Sequence, residues 1–244
     1  MTGRPPLPGL FAVIDLLADA LGEPEPLPPK RALDWLVWEN VGYLVDDERR
    51  GEAYRLLAKS VGIDAKKLRD APAAKLLAAT RLGGIHPDLR AERLREIGTR
   101  VIEECGGDLD AALDAAMERS PTKALATLKK FPSIGTPGAE KILVRTGRAP
   151  LLALDSNGLR ALTRLGFGTP DQSYDKAYRS VRAAVAPEIE GRSAAELARA
   201  SELLRRHGQT CCKANDPRCL ECPVQGLCAF FDDGVGRRGR ARPS

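Results

Sequence analysis

Cys211, Cys212, Cys219, Cys222 and Cys228 crowd one short segment of the 244-residue chain, while Cys105 stands alone. That layout suits a metal site better than a disulfide framework, and it points to a reducing compartment. Cys212, Cys219, Cys222 and Cys228 read C-x6-C-x2-C-x5-C. Four soft thiolates in one loop fit a tetrahedral zinc or a cubane iron–sulfur cluster. Zinc ribbons bring two C-x2-C knuckles together, and this segment has one such pair. Its wide, unequal spacings let a single loop wrap a larger body, so the spacing favours the cluster. Cys211 lies outside the pattern and reads as a small packed thiol.

A second candidate lies upstream. Residues 128–142 read as a helix, a tight turn and a second helix, with Thr136 expected as N-cap and Pro137 as the first helical residue. Backbone N–H groups of Ser133, Ile134, Gly135 and Thr136, in such a turn and at such a helix start, would face a phosphate without reading sequence. A plain αα-hairpin would use similar residues.

The elements around these residues read as helical throughout. Ala and Leu dominate, aromatic residues make up 5% of the chain, and apolar positions recur at three- and four-residue steps. Helices are expected over Leu10–Leu21, Arg31–Leu44, Glu48–Ser60, Pro72–Thr80, Leu89–Cys105, Asp108–Met117, Pro121–Leu128, Pro137–Thr146, Asn157–Leu165, Tyr174–Val185 and Ala194–His207. The proline-rich stretch Gly22–Pro29 should be an extended connector between two lobes. With 43% hydrophobic and 29% charged residues, the composition excludes disorder and collagen-like order. The apolar N-terminal stretch is cut by Asp15 and Asp19, so the expectation is no signal peptide, no membrane span and a cytoplasmic, nucleoid-associated protein. The net charge of +5 permits a nucleic-acid partner without demanding one, and four arginines sit in a Gly/Pro-punctuated tail.

The run from His207-Gly208 through Cys212, with Pro217-Arg218 ahead of Cys219, resembles the cluster loop of the endonuclease III superfamily of DNA glycosylases. The hairpin Phe131-Pro132-Ser133-Ile134-Gly135 is similar to that superfamily's helix-hairpin-helix motif, with Ser133 where the motif has its first glycine. Leu151–Leu162 resembles the segment in which an aspartate precedes a helix carrying an arginine, here Asp155 and Arg160. The resemblance makes Asp155 the catalytic acid, although the same residue would also serve as an N-cap; Arg160 would pair locally or position a phosphate. Bifunctional members carry a nucleophilic lysine eighteen positions before the aspartate, and that position is Pro137 here. Lys141 lies one helical turn further along. Monofunctional relatives, the adenine DNA glycosylases among them, carry a glutamate early in the first barrel helix, which an ungapped alignment places at Glu39; an exposed helix glutamate is the alternative reading. Trp35 and Trp38 read as core. His86, in a turn similar to one between two barrel helices, is either a loop histidine or a base contact.

The resemblance implies an all-α, two-lobe helix-hairpin-helix glycosylase fold. A six-helix barrel lobe would occupy residues 30–149 and a [4Fe–4S] cluster lobe residues 8–29 plus 150–231, with a disordered basic tail over 232–244. A monomer would bind double-stranded DNA containing a lesion or mispair across the mouth between the lobes and flip the damaged nucleotide. It would then hydrolyse the glycosidic bond without cutting the strand. The alternatives are a non-catalytic iron–sulfur DNA-binding protein, and a bifunctional enzyme using Lys141.

Overall fold

The computed structural model describes residues 9–24 and 31–234. In chain order the helices are α1 (Leu10–Leu21), α2 (Ala32–Val41), α3 (Asp47–Ser60), α4 (Ala65–Asp70), α5 (Ala73–Leu82), α6 (Pro87–Cys105), α7 (Leu109–Arg119), α8 (Pro121–Leu128), α9 (Thr136–Arg145), α10 (Ser156–Leu165), α11 (Tyr174–Ile189), α12 (Ala194–Thr210) and α13 (Ala229–Asp232). Two short 3-10 turns, Cys219–Glu221 and Gln225–Leu227, shape the cysteine loop. Among the described residues the β pairing consists of one isolated parallel bridge, Tyr43 to Gly84. No helix of the described residues is long and apolar enough to cross a membrane. Residues 25–29 of the proline-rich connector and residues 235–244 of the basic tail lie outside the described residues.

Contacts divide the chain into two units. One is Leu27–Ala149, here the hairpin unit; the other joins Met1–Pro26 to Pro150–Ser244, here the cysteine unit.

In the hairpin unit, α2 is the central element. Every residue from Ala32 to Val41 is buried except Glu39. A helix apolar around most of its surface has to be surrounded, and α3, α6, α7 and α9 do so. The expected extension of α2 to Leu44 does not form, because Gly42 is extended and Leu44 takes a left-handed φ of 53°. The short α4, missed by apolar periodicity, is started by the Asp64 side chain accepting from Lys67 N–H. It packs closely on α6, where a Cβ on Gly98 would stand 2.5 Å from the Ala65 carbonyl oxygen. Asp46, Asp108 and Ser120 cap α3, α7 and α8 in the same way.

In the cysteine unit, Leu10, Val13, Ile14 and Leu17 repeat at helical spacing and are fully buried against α12 and α11. Each such side chain contributes about 1.5–3 kcal/mol of burial. Leu159, Leu162, Leu165, Leu203 and Leu204 complete the core between α10 and α12. Ser193 and Glu196 form a reciprocal capping box at the start of α12.

Candidate active site and DNA-binding elements

The hairpin turn is fixed from beneath. Phe131 and Ile134 are 4% and 6% exposed, and Asn40 of α2 donates from Nδ2 to the Pro132 carbonyl at 3.2 Å. Ser133 and Gly135 are left on the surface. Ile134 therefore offers a partner its backbone and not its side chain. Ser133 adopts φ 62°, so the turn keeps the left-handed geometry that a glycine would take without strain. Thr136 is not the N-cap. That position belongs to Gly135, which supplies no side-chain bond, and Thr136 is the first helical residue. Pro137 fits one place later than expected because N–H groups throughout a helix's first turn lack intrahelical partners.

Glu39 and Lys141 form an ion pair, with Nζ 2.9 Å from Oε1 and the two side chains 17% and 19% exposed. The reading of Glu39 as an exposed helix glutamate does not hold. Burial would raise the Glu39 pKa, but Lys141, Arg50 and Arg145 outweigh it and hold the carboxyl below its ordinary range. Arg145 lies 4.3 Å over the Trp35 ring, and Trp35 and Trp38 are core residues, 2% and 7% exposed.

His86 is exposed with φ 55° at the start of α6, and its side chain caps nothing. Beneath it lies a residue that the sequence reading missed. Arg90, 2% exposed, donates to the carbonyls of Ile85 (2.8 Å), Gly84 (2.7 Å), Thr80 (2.5 Å) and Val41. Tyr43 N–H donates to the Gly83 carbonyl at 2.8 Å, tying the turn after α2 to the turn after α5. With the backbone held, Tyr43, Leu44 and Ile85 stand 53%, 74% and 46% exposed. The available signal was three bulky residues, Tyr43, Leu44 and Ile85, beside Gly42 and Gly83-Gly84.

In the cysteine unit, Asp155 is the N-cap of α10. Its Oδ1 accepts from the N–H groups of Asn157 (2.9 Å) and Gly158 (2.8 Å), and its Oδ2 accepts from Asn157 Nδ2 at 3.1 Å. Asn157 Oδ1 in turn accepts from Arg160 Nη2 at 2.9 Å. Arg160 also donates to the carbonyls of Gly208 and Cys212, each at 2.8 Å. A continuous hydrogen-bonded chain thus runs from Asp155 to the backbone of Cys212, and Arg160 takes the local pairing role. The approach demands glycine at 208, where a Cβ would stand 2.6 Å from the Asn157 carbonyl oxygen.

Cys212, Cys219, Cys222 and Cys228 line one cavity together with Cys211, His207, Val224 and Phe230. Burial pushes the thiols of Cys219, Cys222 and Cys228 up. His207 is 1% exposed, with Nε2 3.8 Å from Cys222 Sγ and its buried Nδ1 without a partner among the described residues. Burial and the nearby Arg160 pull the His207 pKa down to about 4, so the ring is neutral at physiological pH. His207, Cys211 and Cys222 have ligand atoms within 4.8 Å of one another, the spacing of a single ion's coordination sphere. The predicted quartet is not gathered that tightly. Five thiols, the predicted quartet and Cys211, around a mostly apolar cavity with no carboxylate in its lining include a donor set that fits an iron–sulfur cluster.

No protein-family model matches the chain. Endonuclease III of Sulfolobus acidocaldarius is 23% identical over 184 residues, covering 75% of each protein. The solved structure of a trapped endonuclease III–DNA covalent intermediate superposes with a TM-score of 0.70 at 18% identity, covering 93% of this chain and 97% of that one. A thermostable thymine-DNA glycosylase superposes at 0.69 with 14% identity, covering 92% and 95%. The all-α architecture described above is the endonuclease III-type helix-hairpin-helix glycosylase fold.

Proposed function

We propose that the protein is a DNA glycosylase of base excision repair that hydrolyses the glycosidic bond of a flipped, damaged or mispaired nucleotide and leaves the strand intact. The observation that carries this reading is the placement of Asp155, within an endonuclease III-type fold, as a half-buried carboxylate at the N-terminus of α10. Oriented by two backbone N–H groups and by Asn157, it is preorganised to stabilise positive charge developing on the sugar and to orient water. The hairpin turn would grip a phosphate through its backbone, as endonuclease III-like partners of DNA are expected to do. Tyr43, Leu44 and Ile85, exposed on two turns joined by the Tyr43–Gly83 backbone bond and braced by Arg90 at Val41, Gly84 and Ile85, have the shape and polarity to fill a stack from which a nucleotide has been removed.

The absence of strand cleavage is supported by two residues. Pro137 has no nucleophile, and the amine of Lys141 is engaged by Glu39. Glu39, read from sequence as the acid that protonates the departing base, would have to leave that pair to carry a proton, so the weight of the mechanism falls on Asp155. Cys212, Cys219, Cys222 and Cys228 would hold a [4Fe–4S] cluster, which supports DNA binding and is not needed for hydrolysis. The protein would act as a monomer in the cytoplasm, associated with the nucleoid. Incubation with a panel of lesion-bearing duplexes, analysed with and without alkali, tests this reading. Alkali-dependent cleavage at a lesion supports it, and cleavage without alkali contradicts the monofunctional assignment.

A second reading, a DNA-binding protein of this fold without catalysis, is favoured by one observation: both Asp155 oxygens are already engaged, Oδ1 in capping α10 and Oδ2 with the Asn157 side chain. Duplex binding without excision of any lesion would establish it.

A further inference from the structure

Two arginines of α10 reach the cysteine loop, and they reach different atoms. Arg160 meets the backbone carbonyls of Gly208 and Cys212. Arg164 meets a sulfur. Its Nη1 lies 3.5 Å from Cys212 Sγ and donates to the Lys213 carbonyl at 2.7 Å, while Nη2 donates to the Ala214 carbonyl at 3.1 Å. The guanidinium also stands 4.6 Å from the Phe230 ring centroid, just beyond the last cysteine. The backbone carbonyl of the same residue accepts from Cys228 Sγ at 3.4 Å. One residue therefore touches the first and last cysteines of C-x6-C-x2-C-x5-C and fixes the direction in which the chain leaves Cys212.

From this juxtaposition we propose that Arg164 is the positioning residue of the cysteine loop, closing it around the bound cluster and making that cluster easier to reduce. The inference rests on the cluster assigned under the proposed function. Reduction adds negative charge that is shared by the ligating sulfurs. A permanently cationic N–H donor at Cys212 Sγ favours the reduced form more than the oxidised one. The planar fork matters as much as the charge: a guanidinium can satisfy the sulfur and two carbonyls together, whereas an ammonium is a single point on a flexible stem. The Phe230 ring covers the guanidinium face and carries no donor of its own, and Phe230→Leu keeps the backbone N–H that meets Cys228 Sγ.

The test uses the full chain, purified without oxygen, as wild type, Arg164→Ala, Arg164→Lys and Phe230→Leu. Three quantities are read: iron and acid-labile sulfide content, the rate of iron release to excess chelator, and the midpoint potential. Wild type should contain iron and sulfide. Arg164→Ala should release iron on the order of tenfold faster or more and be harder to reduce. Arg164→Lys should recover more of the potential than of the release rate, since it keeps the charge and loses the fork. Phe230→Leu should leave the potential unchanged. If Arg164→Ala does not fold, as judged by circular dichroism, the split between the two readouts in Arg164→Lys decides. Loaded Arg164 variants with wild-type release rate and potential would overturn the proposal while leaving the cluster intact. A wild type holding zinc and no sulfide would overturn the cluster assignment, and the proposal with it.

Discussion

Lys141 Nζ and Glu39 Oε1 stand 2.9 Å apart, joining the second hairpin helix to the central helix of the same unit. From sequence these two residues belong to opposed chemistries, Glu39 as the acid of a hydrolytic glycosylase and Lys141 as a substitute nucleophile for a strand-cutting one. Paired, each limits the other: the carboxylate keeps its charge because the ammonium is present, and the amine is held by the carboxylate.

The pair should be visible in stability. Glu39→Gln leaves a largely buried ammonium with a weaker partner and should cost about 2 kcal/mol at neutral pH. Because the folded-state pKa of Glu39 is depressed, its contribution is complete above the unfolded carboxylate pKa and is lost as pH falls through the folded value. Urea unfolding of wild type and variant should therefore show a gap at neutral pH that narrows in acid. A gap independent of pH would show that charge is not its source.

Lys141 should form no covalent intermediate. Borohydride added during reaction with lesion-bearing or abasic duplex is expected to trap no protein–DNA adduct. An adduct that disappears in Lys141→Ala would establish that this lysine acts as the nucleophile, and the monofunctional assignment would then be wrong.

Ser133 carries a left-handed φ of 62° without being glycine. Ser133→Gly should relieve that strain and raise stability by about 1 kcal/mol, partly offset by the greater freedom of glycine in the unfolded chain. Thermal or denaturant unfolding checks the sign, and DNA affinity should be kept because the backbone supplies the contact. A destabilised variant would mean that the serine side chain makes an interaction that compensates for the strain.

The cysteine quartet should be separable from its neighbours. Serine at Cys212, Cys219, Cys222 or Cys228 should abolish the brown colour and the bound iron, whereas Cys211→Ser and Cys105→Ser should retain both. Iron analysis of each purified variant decides. Loss of metal in Cys211→Ser, with zinc in the wild type, would move the site to His207, Cys211 and Cys222, the trio with ligand atoms within 4.8 Å.

What could be read from the sequence follows the range of the forces involved. Apolar stripes such as Leu10, Val13, Ile14 and Leu17 are local, and the helices they announce formed where expected. The cysteine spacing and the position of Asp155 ahead of α10 are equally local, and both identified residues that the fold brings into one unit. The Glu39–Lys141 pair was not legible, because its partners are 102 positions apart and each looks like a solvated helix charge in its own window. Arg90 was hidden for the same reason: a lone arginine in an amphipathic helix gives no sign that four carbonyls, from the ends of α2 and α5 and the turn before α6, converge on it. Thr136 misled because N-cap preference favours its hydroxyl, while the geometry of the turn before it starts the helix one residue earlier than expected, at Thr136, with Gly135 as the N-cap.

The central claim is that Asp155 carries the excision chemistry, and the most direct measurement compares wild type with Asp155→Asn on a duplex containing a lesion the wild type removes. Single-turnover excision is followed by alkali-revealed cleavage, with duplex affinity measured in parallel. The substitution keeps a side-chain oxygen to cap α10 and removes the charge, so the variant should fold and bind DNA at near wild-type affinity. Its excision rate should fall on the order of a thousandfold or more, because the carboxylate's charge is needed chiefly as the sugar becomes cationic. Excision at the wild-type rate by Asp155→Asn would contradict the account.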